Sequence, residues 1–208
     1  MVYRGAFFIL RGKVFEDFRF DVGRWRSAIE PGIEIPSDVE LRAILDPSLT
    51  ANPSSDRSAL VVGFTRTRDS DGINEFVLLD ASSNRWRGIQ LADASLEFCL
   101  KWNIKTLQVE RIPGVDLLKD AIALQAKLRN VESPAIRLFN PCVIKGAKNR
   151  RILRFRTLFE CSPAAIRIQN GTYIPMLFEE IENFIPTPSN RGRQVNILDA
   201  CALCAGFR

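Results

Sequence analysis

Three carboxylates in apolar surroundings carry the chemistry this sequence can offer. Asp46 closes the run Leu41-Arg42-Ala43-Ile44-Leu45, and Glu110 closes Ile104-Lys105-Thr106-Leu107-Gln108-Val109. Asp199 interrupts Ile197-Leu198-Asp199-Ala200-Cys201-Ala202-Leu203. An ionised carboxylate in such a setting is costly unless it is paired or holds a metal. Three of them, far apart in sequence, point to one shared partner where the fold brings them together. Divalent magnesium or manganese suits that role, since both take hard oxygen ligands. Each acid alone has a plainer reading. Asp46 is also placed to cap a turn. Glu110, followed by Arg111 and the pair Pro113-Gly114, reads equally as an exposed loop acid. Asp199 is harder to dismiss, because a helix there would turn Leu198, Ala202 and Leu203 to a core. The set, rather than any member, points to metal.

The elements that must hold these acids fit one domain, or one domain with an appendage, in 208 residues. Apolar residues make up 46% of the chain, enough for a real core. A net charge of +5 and a pI near 9.1 favour polyanionic partners without proving them. The absence of histidine excludes Ser-His-Asp and Cys-His catalysis and His-ligated zinc in one step. The five cysteines form no regular framework and read as reduced and mostly buried, with Cys201 and Cys204 packing a helix rather than holding zinc. No run is long enough to span a membrane, and Ala6-Phe7-Phe8-Ile9-Leu10 is too short for a signal-peptide core.

Residues 3–20 predict a hairpin about Arg11-Gly12-Lys13, and 27–40 a connector, so that residues 1–40 precede a domain spanning 41–208. Strands are expected at 41–46, 58–65 and 75–81, the last two joined at Asp71-Gly72. A helix over 92–102, a strand over 104–110 and an amphipathic helix from Val115 to Arg129 follow. Leu117, Ala121, Leu124 and Leu128 mark one face of that helix. Next come a strand at 135–139, a basic helix from about Lys148 to Glu160 and a hairpin turned at Asn170-Gly171. A helix marked by Leu177, Ile181 and Phe184 and a last one from Val195 to Ala205 complete the chain. This order predicts an α/β architecture, a mixed central sheet with helices on both faces. Asp46 and Glu110 would meet at its carboxyl edge, where sites in open sheets lie.

Ile44-Leu45-Asp46-Pro47-Ser48, with Ser55-Asp56-Arg57-Ser58-Ala59, resembles the first strand and loop of the nuclease domain of phage terminase large subunits. Val109-Glu110 with Gly114 resembles that family's second acid, Lys148-x-x-Arg151-Ile152 its basic helix, and Ile197-Leu198-Asp199-Ala200 its closing acidic helix. The match runs from about residue 41 to the C-terminus in the family's order. It implies a ribonuclease-H-like fold and a metal-dependent endonuclease that cuts concatemeric double-stranded viral DNA during packaging, in the cytoplasm of the infected host. It further implies two magnesium or manganese ions held by Asp46, Glu110 and Asp199. An ATPase domain, a small terminase subunit and a portal would be the partners. The chain departs from the family at Val195 and Asn196, where many members carry acids or a histidine, although Asn196 still offers a carbonyl oxygen. No packaging ATPase motif occurs, so the chain reads as an excised nuclease half or a stand-alone relative.

Hydrolysis by two cations roughly 3.5–4 Å apart predicts Asp46 as the bridge, with Glu110 on one ion and Asp199 on the other. Asp56 reads as a loop-capping or outer residue. Lys145, Lys148, Arg150, Arg151 and Arg154 form the densest basic patch, suited to phosphates regardless of base sequence, or else to a solvated helix face. Arg85-Trp86-Arg87 offers a second contact. Two alternatives stay open: a Holliday-junction resolvase or other ribonuclease-H-like nuclease, and a non-catalytic DNA-binding or docking module of the same fold.

Overall fold

The computed structural model describes residues 22–49, 57–140, 147–161, 163–184 and 195–206. The expected hairpin over 3–20 lies outside them. A short helix α1 (Val22–Ser27) leads into strand β1 (Ile29–Glu30), inside the stretch expected to be a connector. The runs rich in Val, Ile, Leu and Phe then form β2 (Arg42–Asp46), β3 (Ser58–Thr67) and β4 (Asn74–Asn84). These are consecutive antiparallel neighbours, as the sequence predicts. The β3–β4 turn needs a left-handed residue and has Gly72, φ +69°, whose N–H donates to the Arg68 carbonyl at 2.8 Å. Helix α2 (Ile89–Lys101), β5 (Thr106–Glu110), α3 (Val115–Leu128) and β6 (Ala135–Phe139) follow in βαβ fashion. The chain continues through α4 (Ala147–Glu160), β7 (Ile166–Gln169), α5 (Ile174–Asn183) and α6 (Asn196–Cys204).

The strands make one sheet in the order β1-β7-β4-β3-β2-β5-β6. β2, β5 and β6 run parallel to one another, and β7 runs parallel to both β4 and β1. Side chains alternate between faces along a strand, and the sheet therefore divides two cores. Ala43, Leu45, Leu60, Val62, Leu107 and Val109 pack with α2 and α3. Ile44, Val61, Phe76, Leu78 and Ile168 pack on the opposite face with α4, α5 and α6. Trp25 of α1 joins this second core by stacking on Phe159 and meeting Phe155 edge-on. Helices thus cover both faces, as expected. No described helix is long and apolar enough to cross a membrane.

Two expectations need correction. The Asn170-Gly171 pair does not turn a hairpin: among the described residues β7 pairs only in parallel fashion, and the chain enters α5 with Pro175 in its first turn. Gly171 serves packing instead, since a Cβ there would lie 2.8 Å from the Tyr173 ring. The second correction concerns α3, which buries Val115, Leu118, Ile122 and Ala126 rather than the leucine face read from the sequence. Leu117, Leu124 and Leu128 face outward.

Candidate active site

Leu45 of β2 registers with Val109 of β5, and the next residues of these parallel strands are Asp46 and Glu110. Leu45 and Val109 lie in the α2/α3 core, so alternation turns both acids to the other face. The sheet itself therefore sets two carboxylates side by side at its carboxyl edge. Burial pushes the Asp46 carboxyl up to about 7; Lys148 pulls it down, while Glu110 and Asp199 push it further up. Glu110 is raised by burial and then by Asp199. Asp46 and Glu110 thus both feel the Asp199 charge.

Asp199 reaches this face on α6, which crosses β2, β3 and β4. Every residue of Asn196–Cys204 is buried, a helix enclosed on all sides. The small side chains of Ala200, Cys201, Ala202 and Cys204 fit that enclosure, and the C-x-x-C is a packing feature as expected. Its N-terminus is preceded by Val195, which has no side-chain oxygen to cap it. Glu180 of α5 supplies the cap. Its carboxylate accepts the backbone N–H groups of Asn196, Ile197 and Leu198 at 3.0, 3.2 and 2.8 Å. Burial pushes Glu180 up to about 7, and these three donors pull the other way. Asp199, in the first turn, sits where the helix dipole favours negative charge.

The basic helix α4 does not present one solvated face. Arg151 is 5% exposed and grips Asp199, itself 1% exposed, with Nε to Oδ1 at 3.1 Å and Nη2 to Oδ2 at 2.8 Å. Lys148 Nζ lies 3.7 Å from the same carboxylate. Arg150 and Arg154 are exposed. The periodicity of α4 explains the split: Ile152, Phe155 and Phe159 must face the core, and Arg151 precedes that stripe by one position. Lys145 and Asp56 lie outside the described residues. Asn196 is 1% exposed and its Nδ2 has no hydrogen-bond partner among the described residues. Arg85 and Arg87 are exposed, while Trp86 packs partly against the α2/α3 core.

The structure thus gathers Asp46, Glu110, Asp199, Lys148 and Arg151 about one edge and adds Glu180, which sequence reading missed. The missing cap at Val195 was its one signal. Among the described residues no group of three or more carboxylates, thiolates or imidazoles is placed to hold one metal ion. Both Asp199 oxygens face Arg151 instead.

No family model matches the chain, and no curated protein matches it in sequence. In structure it is similar to the nuclease domain of the large terminase subunit gp2 of bacterial virus Sf6. The TM-score is 0.52 at 10% identity, covering 81% of this chain and 88% of that one. A variant of that terminase subunit from bacteriophage Sf6 with calcium, and one of the Sf6 nuclease domain with manganese, give TM-scores of 0.51 and 0.50 over the same shares and at the same identity. At this identity the likeness is one of fold, and the fold is ribonuclease-H-like.

Proposed function

We propose that this chain is a metal-dependent endonuclease that hydrolyses double-stranded DNA, the nuclease part of a phage packaging terminase. Asp46 and Glu110, each one residue past the Leu45–Val109 pair, with Asp199 close enough to act on both, are the observation that carries this reading. The likeness to Sf6 structures with manganese and calcium supports it. An ATPase domain, a small terminase subunit and a portal belong to the same reading.

Asp46 and Glu110 suit a divalent cation, because burial and the neighbouring acids raise the proton affinity of both, a cost that a cation relieves. Asp199 joins them once Arg151 releases it. The bound ions would neutralise the leaving oxygen and make water acidic enough to attack. DNA phosphate is the natural competitor for Arg151, whose planar fork matches phosphate as well as carboxylate. Lys148 would hold charge beside the acids, while Arg150 and Arg154 would meet the backbone from outside.

The Arg151–Asp199 pair favours a second reading, a DNA-binding module without turnover, in which Arg151 stands permanently where a cation would go. Supercoiled-plasmid cleavage in manganese, magnesium or EDTA, with Asp46→Asn alongside the parent, separates them. Metal-dependent nicking that falls on the order of a thousandfold in the variant, roughly 4 kcal/mol of barrier, is expected. Cleavage that survives the substitution removes Asp46 from the site. A folded parent that binds DNA but never cuts it leaves the module.

A further inference from the structure

We infer that the outer face of α3 is a self-association surface on which a second copy of this chain docks, its α3 antiparallel across a two-fold axis. Leu117, Leu124 and Leu128 are 75%, 50% and 70% exposed, with the half-buried Ala121 completing their row. Ala121 touches the edge of the α2/α3 core, whereas the three leucines are not spillover from it. At 100° per residue this row lies roughly 135° around the helix from the buried row of Val115, Leu118, Ile122 and Ala126. The helix is apolar on two separate sides, and among the described residues the outer three leucines belong to neither core.

The spacing of the outer row carries information. Steps of four, three and four residues make Leu117, Ala121, Leu124 and Leu128 the d, a, d and a positions of a two-helix seam. Asp120 and Lys127 then both fall at g. Both are exposed, and neither is in an ion pair among the described residues, whereas nearby Arg129 is committed to Asp93 and Glu97. In an antiparallel pair g faces g. Asp120 of each copy would therefore meet Lys127 of the other, two opposite-charge contacts related by the two-fold. The same arrangement layers Ala121 on Leu124 and Leu117 on Leu128. A parallel pair would set Asp120 against Gln125 and forfeit both contacts. The charges thus choose a second copy and its direction, in the isologous form common to homodimers.

The size of the patch sets the strength. Helix α3 has 14 residues and is about 21 Å long. One such pair buries less than the ~1,600 Å² of a standard interface, so a dissociation constant in the micromolar range is expected. Sedimentation equilibrium from about 1 to 200 µM brackets that range. The parent should pass from monomer to dimer across it. Leu124→Glu should weaken association at least about tenfold, as should Asp120→Lys, which sets two lysines together. Adding Lys127→Asp to Asp120→Lys should restore the parent's affinity to within about threefold. These positions are exposed, so circular dichroism should show all variants folded; Leu117→Lys serves in place of any that is not. A parent monomeric at every concentration overturns the proposal and leaves the leucines to a different protein or a further part of a longer chain. A dimer indifferent to Leu124→Glu, or a charge swap that fails to restore, overturns the surface or its direction. None of these outcomes depends on nuclease activity.

Discussion

The two faces of the sheet are built on opposite terms. The α2/α3 face is an apolar core in which Leu45, Val62, Leu107 and Ile122 meet hydrocarbon with hydrocarbon. The α4/α6 face is as deeply buried but admits Asp199, Arg151, Glu180 and Asn196 into its interior. Burying ions is expensive even when they are paired. A protein that needed only stability would repeat the first face on the second. That difference in cost is an energetic ground for placing the proposed site on the α4/α6 face.

The contrast can be broken experimentally. Arg151→Met leaves Asp199 buried without its guanidinium and should cost about 3–5 kcal/mol in EDTA. Manganese should return much of that loss, seen as a recovered melting temperature, because a cation takes the vacated place. A loss indifferent to manganese would make the acidic edge a structural ion-pair cluster. Ile122→Ala on the other face should cost about 2–5 kcal/mol through its cavity, with no rescue by any ion. Plasmid cleavage well below the lowered transition should stay near the parent's. Glu180→Gln removes the charge from the α6 cap and should cost roughly 1–2 kcal/mol, since hydrogen bonds to charged groups are the stronger ones. Proton exchange at the Asn196, Ile197 and Leu198 amides, faster than in the rest of α6, would report it.

A further effect is one of pH. Asp46 and Glu180 are both raised to about 7 in the folded chain, from ordinary values of 3.8 and 4.5. A raised carboxyl binds protons better folded than unfolded. Its contribution is therefore complete below about pH 4 and is lost as pH climbs through about 7. The metal-free protein should melt lower at pH 8 than at pH 5, and Asp46→Asn should flatten that slope. A melting temperature that rises steadily over this interval would contradict the burial assigned to these groups.

What could be read from the sequence followed from how local its cause was. Strands β2, β3 and β4 and the Gly72 turn rest on neighbouring residues, and they stand where β-branched runs and the Asp-Gly signal put them. The acids at the ends of β2 and β5 came out for the same reason, since a charge that closes an apolar run is visible in a window of six residues. The inward face of α3 was not legible. Leu117 and Leu118 begin two stripes of equal quality, and only the distant strand β5 and helix α2 decide which turns inward. Arg151 was read with its basic neighbours, because its partner Asp199 lies 48 positions away and exposure is the ordinary fate of arginine. Glu180 escaped because its partners are backbone amides, which leave no mark on composition.

The three acids are not anchored alike. Asp46 and Glu110 each stand one residue past the Leu45–Val109 pair of the β2–β5 ladder, so the sheet sets their spacing. Asp199 rides on a separate part, fastened through Glu180 at its amino end and gripped by Arg151 at its acid. Two of the acids are thus set by a sheet and the third by a helix packed across it. Glu180 ties that helix to α5, so the position of the third acid is shared between two helices while that of the other two belongs to the sheet.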